Sequence, residues 1–459
     1  MIPMPRFLCA LAALTMSQFG LPQTLRPSLD SLAIVGAKIV TEPGKVIEVG
    51  TVLVQNGMIT KVAESVDCPP GTEIIDGKGL VVYAGFVDMG VTKGLRAVEG
   101  GTRKAEPFDP TVDVATQMPL SPPDVHPGLS AVDLFDPDDA AWKAERTAGF
   151  TSAVVYPRAG VLKGTVAVVN LDGSARNTST VADRVAWAIG LDGTGGNYPG
   201  TTFAAFALVR QACLDADWQA DMERHYAVSG GPRPVFDPNL VELRKLRSEK
   251  IPVIIEADQV WKIDRSMNLS RELGLDPILL GCNEGYKCAT LLKSAKIVVK
   301  LNFGPDPEAN KGKSESEPGE KTADEPEAVK NERKRLWLCQ VKNAQVLQET
   351  GALIAFTTAG AKDEATFFEN LRAAVKEGLT ADSALAALTT NPAQMLGFSK
   401  RCGKVQVGMA ATLTVMTSDF TNPKAKVKFL VVDGKKIDPL REPFKFDNSP
   451  QDFGKEGGL

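Results

Sequence analysis

Glu256 and Asp258 stand two residues apart in Ile251-Pro-Val-Ile-Ile-Glu-Ala-Asp258. On a strand that spacing points both carboxylates to one face. Paired carboxylates can divide the roles of general acid and general base when their surroundings separate their pKa values. They can also share a divalent cation if further ligands converge on it. Such ligands are scarce, because the 459 residues include two histidines, His126 and His225. Histidine is the commonest metal ligand and the usual base near neutral pH, so a histidine-rich catalytic metal centre is excluded by count. His126 lies in the proline-rich Pro122–Gly128 and His225 in a variable excursion around Glu223–Tyr226, and both are assigned surface or hydrogen-bonded structural roles. Of the seven cysteines, Cys282 and Cys288 are six apart with no second pair at zinc-site spacing. The dispersed cysteines read mostly as buried thiols, although their even number after Cys9 permits disulfides in an exported chain. The Gly-rich Gly193–Gly200 lacks the strand–loop–helix context of a phosphate cradle and reads as a flexible turn.

These residues need elements to hold them. Residues 31–82 read as a meander of short strands, with Asn56-Gly57 supplying the two positive-φ residues of a tight hairpin. Ala411–Met416 and Phe429–Asp433 read as strands near the other end. A composite β domain built from residues 30–84 and 400–440 follows. Between them strands alternate with helices: Phe150–Tyr156, Ile251–Glu256, Pro277–Leu280, Ile297–Leu301 and Ala352–Thr357 as strands, Leu336–Thr350 as a helix. Phe367, Leu371, Ala374 and Val375 share one helical face that Gly378 ends, and Thr380 caps the next helix. Repeated βα units over residues 85–399 predict an α/β fold, a (β/α)8 TIM-like barrel. Residues 304–335, dense in Glu, Lys and Pro, break the rhythm and read as a charged, disordered excursion.

The net charge of −4 gives no basic field, so nucleic acid and anionic membrane are not expected partners. Arg6, the apolar stretch Phe7–Met16 and the small residues Thr15 and Ser17 resemble a secretory signal over residues 1–17. An exported protein, periplasmic or extracellular, is expected from it, a cytoplasmic one without it. No segment has transmembrane length.

Asp76-Gly-Lys-Gly-Leu-Val-Val-Tyr-Ala-Gly-Phe-Val-Asp88, leading into Met89-Gly-Val-Thr-Lys-Gly-Leu95, resembles the barrel entry of metal-dependent amidohydrolases, the imidazolonepropionase-like group in particular. Ala148–Pro157, Lys163–Gly173, Ile251–Asp258, Leu379–Gly397 and Gly403–Gly408 are similar to later segments of that group, in the same order. The resemblance implies the barrel with a composite β domain, hydrolysis of non-peptide carbon–nitrogen bonds in cyclic amides, and zinc or another divalent metal.

The departures fall on the chemistry. Gly90 and Thr92 stand where the family has the two histidines of the first barrel strand, Glu256 where it has the fifth-strand histidine, and Ala359 where it has the eighth-strand aspartate. Gly281–Lys287 has no histidine, and Ala84 replaces the usual proline. Loss of the set points to a metal-free, catalytically degenerate member with no expected cofactor. The polar residues expected at the strand ends are Asp88, Thr92, Lys93, Glu256, Asp258, Glu284, Tyr286, Lys287, Thr357 and Thr358. With Gly90 and Ala359 they outline a candidate pocket for a small polar ligand. Such a protein would serve as a ligand-binding or partner subunit, beside an active relative or as a homo-oligomer. The alternatives are a divergent hydrolase using carboxylates or one weakly held metal, and an interaction protein docking through 304–335.

Overall fold

The computed structural model describes residues 31–97, 124–192, 198–308 and 326–440. The signal at 1–17, Cys9, residues 193–197 of the Gly-rich turn and residues 309–325 of the charged excursion lie outside the described residues.

One sheet gathers both ends of the chain. The strands β1 (Ser31–Glu42), β2 (Lys45–Gln55), β3 (Met58–Ala63), β4 (Glu73–Asp76) and β5 (Val81–Ala84) come from the first segment. Asn56 (φ 50°) and Gly57 (φ 77°) make the expected turn between β2 and β3. β5 lies parallel to β1 and antiparallel to Leu413–Met416 of the second segment, so the domain is composite.

The other sheet is the barrel. It runs in order from β6 (Phe86–Val91) through β7 (Phe150–Val155), β8 (Leu162–Asn170), β9 (Thr180–Ile189), β10 (Val253–Ala257), β11 (Pro277–Gly281) and β12 (Lys296–Lys300) to β13 (Leu353–Thr357). β6 and β7 are parallel, as are β9 through β13, which gives the expected TIM-like barrel. β8 departs from the strict βα repeat, running antiparallel to both neighbours. Tyr156–Val161 is too short for the crossover a parallel strand needs, so the chain must turn straight back. β13 meets β6 through side chains: Thr357 Oγ1 donates to the Gly90 carbonyl at 3.4 Å, and the Thr358 amide to Asp88 at 3.0 Å.

Both faces of the barrel strands are apolar because helices cover the outside. Val87, Val154, Val168, Ile254, Leu280 and Val298 pack inside, whereas Phe86, Phe150, Ile255 and Phe356 pack outward among the helices. The barrel-facing side of Glu364–Lys376 carries the expected stripe, with Phe367, Leu371 and Ala374 buried, and Thr380 caps Ala381–Leu388 through the Ser383 amide at 3.1 Å. The helix expected from Leu336 begins earlier, at Glu327, so residues 327–335 of the charged excursion are helical. Trp337 Nε1 pins this helix to the Gly304 carbonyl at 2.8 Å.

The two domains meet at Thr414. Its hydroxyl donates to the Gly149 carbonyl at 2.7 Å and accepts from the Phe86 amide at 3.3 Å, all of it buried. Valine keeps the shape and leaves both backbone groups unpaired, each costing about 1–3 kcal/mol. Thr414→Val is therefore expected to lower unfolding free energy by about 2 kcal/mol in urea titrations. A loss below about 0.5 kcal/mol would mean that this joint contributes little.

Candidate active site at the barrel mouth

β10 alternates strictly. Ile254 points into the barrel, Val253 and Ile255 point outward, and the next inward position is Glu256. Its carboxylate is paired and hydrogen-bonded there. Glu256 Oε1 accepts from the Lys163 ammonium at 2.7 Å and from the Tyr156 hydroxyl at 2.8 Å. Lys163 opens β8 and its side chain is 9% exposed, against 19% for Glu256. The lysine also stands 5.3 Å from the centre of the Tyr156 ring. Burial, then the charge of Glu256, push the Tyr156 phenol well above its ordinary value, so it stays a donor. Gly190 lets this pair close, since a Cβ there would stand 2.3 Å from Lys163 Cε.

Asp258 shares the face expected for it and makes a second ion pair, with both oxygens 3.1–3.3 Å from the Lys300 ammonium at the end of β12. Its side chain is 40% exposed, so this pair faces the opening. The mouth therefore holds two carboxylates and two lysines. Lys163, Tyr156 and Lys300 were not singled out from the sequence as site residues. The available signal was a lone charge or hydroxyl at the end of an otherwise apolar strand, as in Ile297-Val-Val-Lys300.

Gly90 sits at a break in the β6 ladder with φ 97°. A Cβ built on it would stand 2.8 Å from Leu280 Cδ1 and 3.7 Å from the Tyr156 ring. The space a ligand side chain would use at this position is taken by leucine. Thr92 and Ala359 are half-buried, and the Ala359 amide is spent on Thr357 Oγ1 at 3.1 Å. His126 is half-buried against Gly160, and His225 lies exposed on the long helix Thr202–Ser229. Among the described residues no group of three or more His, Cys, Asp or Glu side chains could hold a metal ion. Glycine, alanine, a threonine hydroxyl and one lysine-bound glutamate do not fit the three or four ligands of a catalytic divalent metal.

Other members of the expected pocket lie elsewhere. Asp88 is completely buried and follows the inward Val87, so its carboxylate turns to the outer layer. It accepts from the Thr358 amide at 3.0 Å and the Thr358 hydroxyl at 2.5 Å. The same hydroxyl lies 3.1 Å from Glu145 of the helix Ala141–Ala148, also fully buried. Lys93 bonds Glu145 and, at 2.5 Å, Glu364. Burial raises the carboxyl pKa of both Asp88 and Glu145, for Glu145 well above its usual value with the Asp88 charge adding to it. Burial works against the Lys93 ammonium, yet the facing carboxylates outweigh it and hold its pKa above the usual range. Glu284 accepts from the Val260 amide at 3.0 Å at the start of Val260–Leu273 and from Lys287 at 2.5 Å, a helix-capping role. The Tyr286 amide donates to Asn343 at 2.8 Å. The six described cysteines form no disulfide, and only Cys213 and Cys282 among them are buried. None of the described helices is long and apolar enough to cross a membrane.

Comparison with known proteins agrees with this frame. Residues 323–437, from the helix at Glu327 to the end of the composite sheet, match the amidohydrolase family. A segment is 38% identical over 61 residues to a dihydroorotase from Geobacter metallireducens (strain ATCC 53774 / DSM 7210 / GS-15). That alignment spans 13% of this chain and 14% of the relative. The structure of an amidohydrolase from Thermotoga maritima MSB8 superposes with a TM-score of 0.68 at 21% identity, over 88% of this chain and 99% of that one. A Xaa-Pro dipeptidase with bound methionine in the active site gives 0.51 at 17%, over 88% and 99%. At these identities the superpositions speak for the fold alone. The family match covers residues 323–437, and over that part the chain is similar to amidohydrolases.

Proposed function

We propose that this chain is a metal-free member of the amidohydrolase family whose barrel mouth binds a small polar ligand instead of activating water on a metal. The observation that carries the reading is the Lys163–Glu256–Tyr156 cluster beside a Gly90 position backed by Leu280. A metal at this end of the barrel would lower the pKa of bound water and polarise a carbonyl. Of the residues at the positions where the resemblance puts metal ligands, Gly90 and Ala359 have no side-chain donor atom, Glu256 is bound to Lys163 and Tyr156, and Thr92 offers a hydroxyl alone. What remains at the mouth is a pair of ammonium–carboxylate bridges, with the exposed Asp258–Lys300 outermost. Such bridges offer matched donors and acceptors to a ligand bearing both kinds of polar group. The reading extends to a binding or partner role in place of turnover.

Elemental analysis of protein incubated with zinc or manganese and then dialysed tests this reading. Metal well below one equivalent is expected, with no turnover of dihydroorotate or other cyclic amides. Stoichiometric metal, lost together with turnover in Glu256→Ala, would overturn it.

A further inference from the structure

On the outer side of the barrel, Arg96 and Arg176 converge on one turn. Arg96, past the end of β6, donates from its guanidinium to the Asp133 carbonyl at 2.6 Å. Arg176, past the end of β8, donates through Nε to the Phe135 carbonyl at 3.0 Å. The two carbonyls are two residues apart, at the end of the short helix Ala131–Leu134. Both arginines line one open cleft of about 470 Å³, together with Val132, Asp136, Asp138 and Asn177. The cleft shares no residue with the barrel mouth.

Each guanidinium has five donors and spends one on a backbone carbonyl. Among the described residues neither arginine has a carboxylate within ion-pair distance, although two aspartates line the same cleft. Asp136 is occupied in its own turn, accepting the Asp138 amide at 3.0 Å. Two like charges held by carbonyls two residues apart in one turn repel each other, and a shared counter-anion relieves that repulsion. Planar guanidinium forks match the paired oxygens of phosphate and carboxylate groups.

We propose that this cleft is a second ligand site, specific for a small oxyanion with at least two negative charges, held between Arg96 and Arg176. Asn177 stands at the cleft to add a neutral donor, and Val132 supplies an apolar wall. The proposal is independent of what the barrel mouth binds.

Isothermal titration of the full chain at low ionic strength, with inorganic phosphate in one arm and succinate in the other, tests it and separates the two sources of oxyanion. One saturable site is expected for at least one probe. Arg96→Gln and Arg176→Gln are each expected to weaken it about tenfold or more, the loss of a charge-assisted bond. The double variant should abolish it. Lys436→Gln, a distant exposed lysine, controls for net charge and should bind as the parent does. Arg176→Lys keeps a donor for Phe135 if the glutamine variant unfolds, and is also expected to bind more weakly because the fork is lost. Binding no tighter in the parent than in the double variant, or equal binding by Arg176→Lys and the parent, would overturn the proposal.

Discussion

Alanine at Gly90 is expected to destabilise the protein by about 3 kcal/mol, although it adds a single methyl group. The left-handed backbone at φ 97° costs an L-residue about 1–2 kcal/mol. The Cβ also arrives 2.8 Å from Leu280 Cδ1, and overpacking of this kind costs about 1–3 kcal/mol. Leu280 can move in part, which places the expected sum below the two maxima. Histidine, the residue the family resemblance implies here, is larger and should cost more. A single Gly90→His exchange should therefore destabilise the barrel without creating metal affinity. Denaturant unfolding of Gly90→Ala, alone and with Leu280→Ala, measures the steric part as the non-additive coupling between the two sites. An additive pair with a mild single variant would show that Leu280 does not occupy the vacated position.

The second large effect concerns Glu145. Three carboxyl groups, Asp88, Glu145 and Glu364, face one lysine, Lys93, and two of the three are fully buried. The Thr358 hydroxyl lies within reach of both Asp88 and Glu145 but has one proton to give. The folded-state pKa of Glu145 is raised, so in the folded state the group holds its proton longer than in the unfolded chain. The stability it contributes is fully present below the unfolded carboxylate pKa and is lost as pH rises through the folded value. Each unit of separation between those two values amounts to about 1.4 kcal/mol. Glutamine keeps the shape and cannot ionise. Glu145→Gln is expected to gain on the parent as pH rises above the ordinary carboxylate range, with little advantage below it. Thermal midpoints measured in parallel below and above that range check the sign. A gap that stays constant with pH would mean that Glu145 ionises in the folded protein as it does in the unfolded one.

The alternation of strands and helices, the Asn56-Gly57 hairpin and the capping of Ala381–Leu388 were all legible because each rests on local chemistry: hydrophobic period, turn residues, a side-chain cap. The reversed β8 was less legible. Its residues Leu162–Asn170 pack on both faces like those of a parallel strand, and only the length of Tyr156–Val161 betrays its direction. The helical start at Glu327 was hidden by a charge-rich composition that suits a solvated helix and a solvated loop equally.

Within the site, residue identity by itself excluded a histidine-built metal centre. Two histidines in 459 residues, with Gly90 and Ala359 where the resemblance puts ligands, needed no coordinates to interpret. What stands there instead was decided by tertiary structure. Lys163 of β8 and Tyr156, just past β7, reach Glu256 from about a hundred positions away, and Leu280 fills in from β11. Asp88, read as a pocket residue, turns outward to Thr358 and Glu145 because the strand's alternation and its break at Gly90 assign the two faces. A sequence states which groups are missing from a position. Which side chains then occupy the space depends on barrel register and closure, which bring together residues with no local relation to one another.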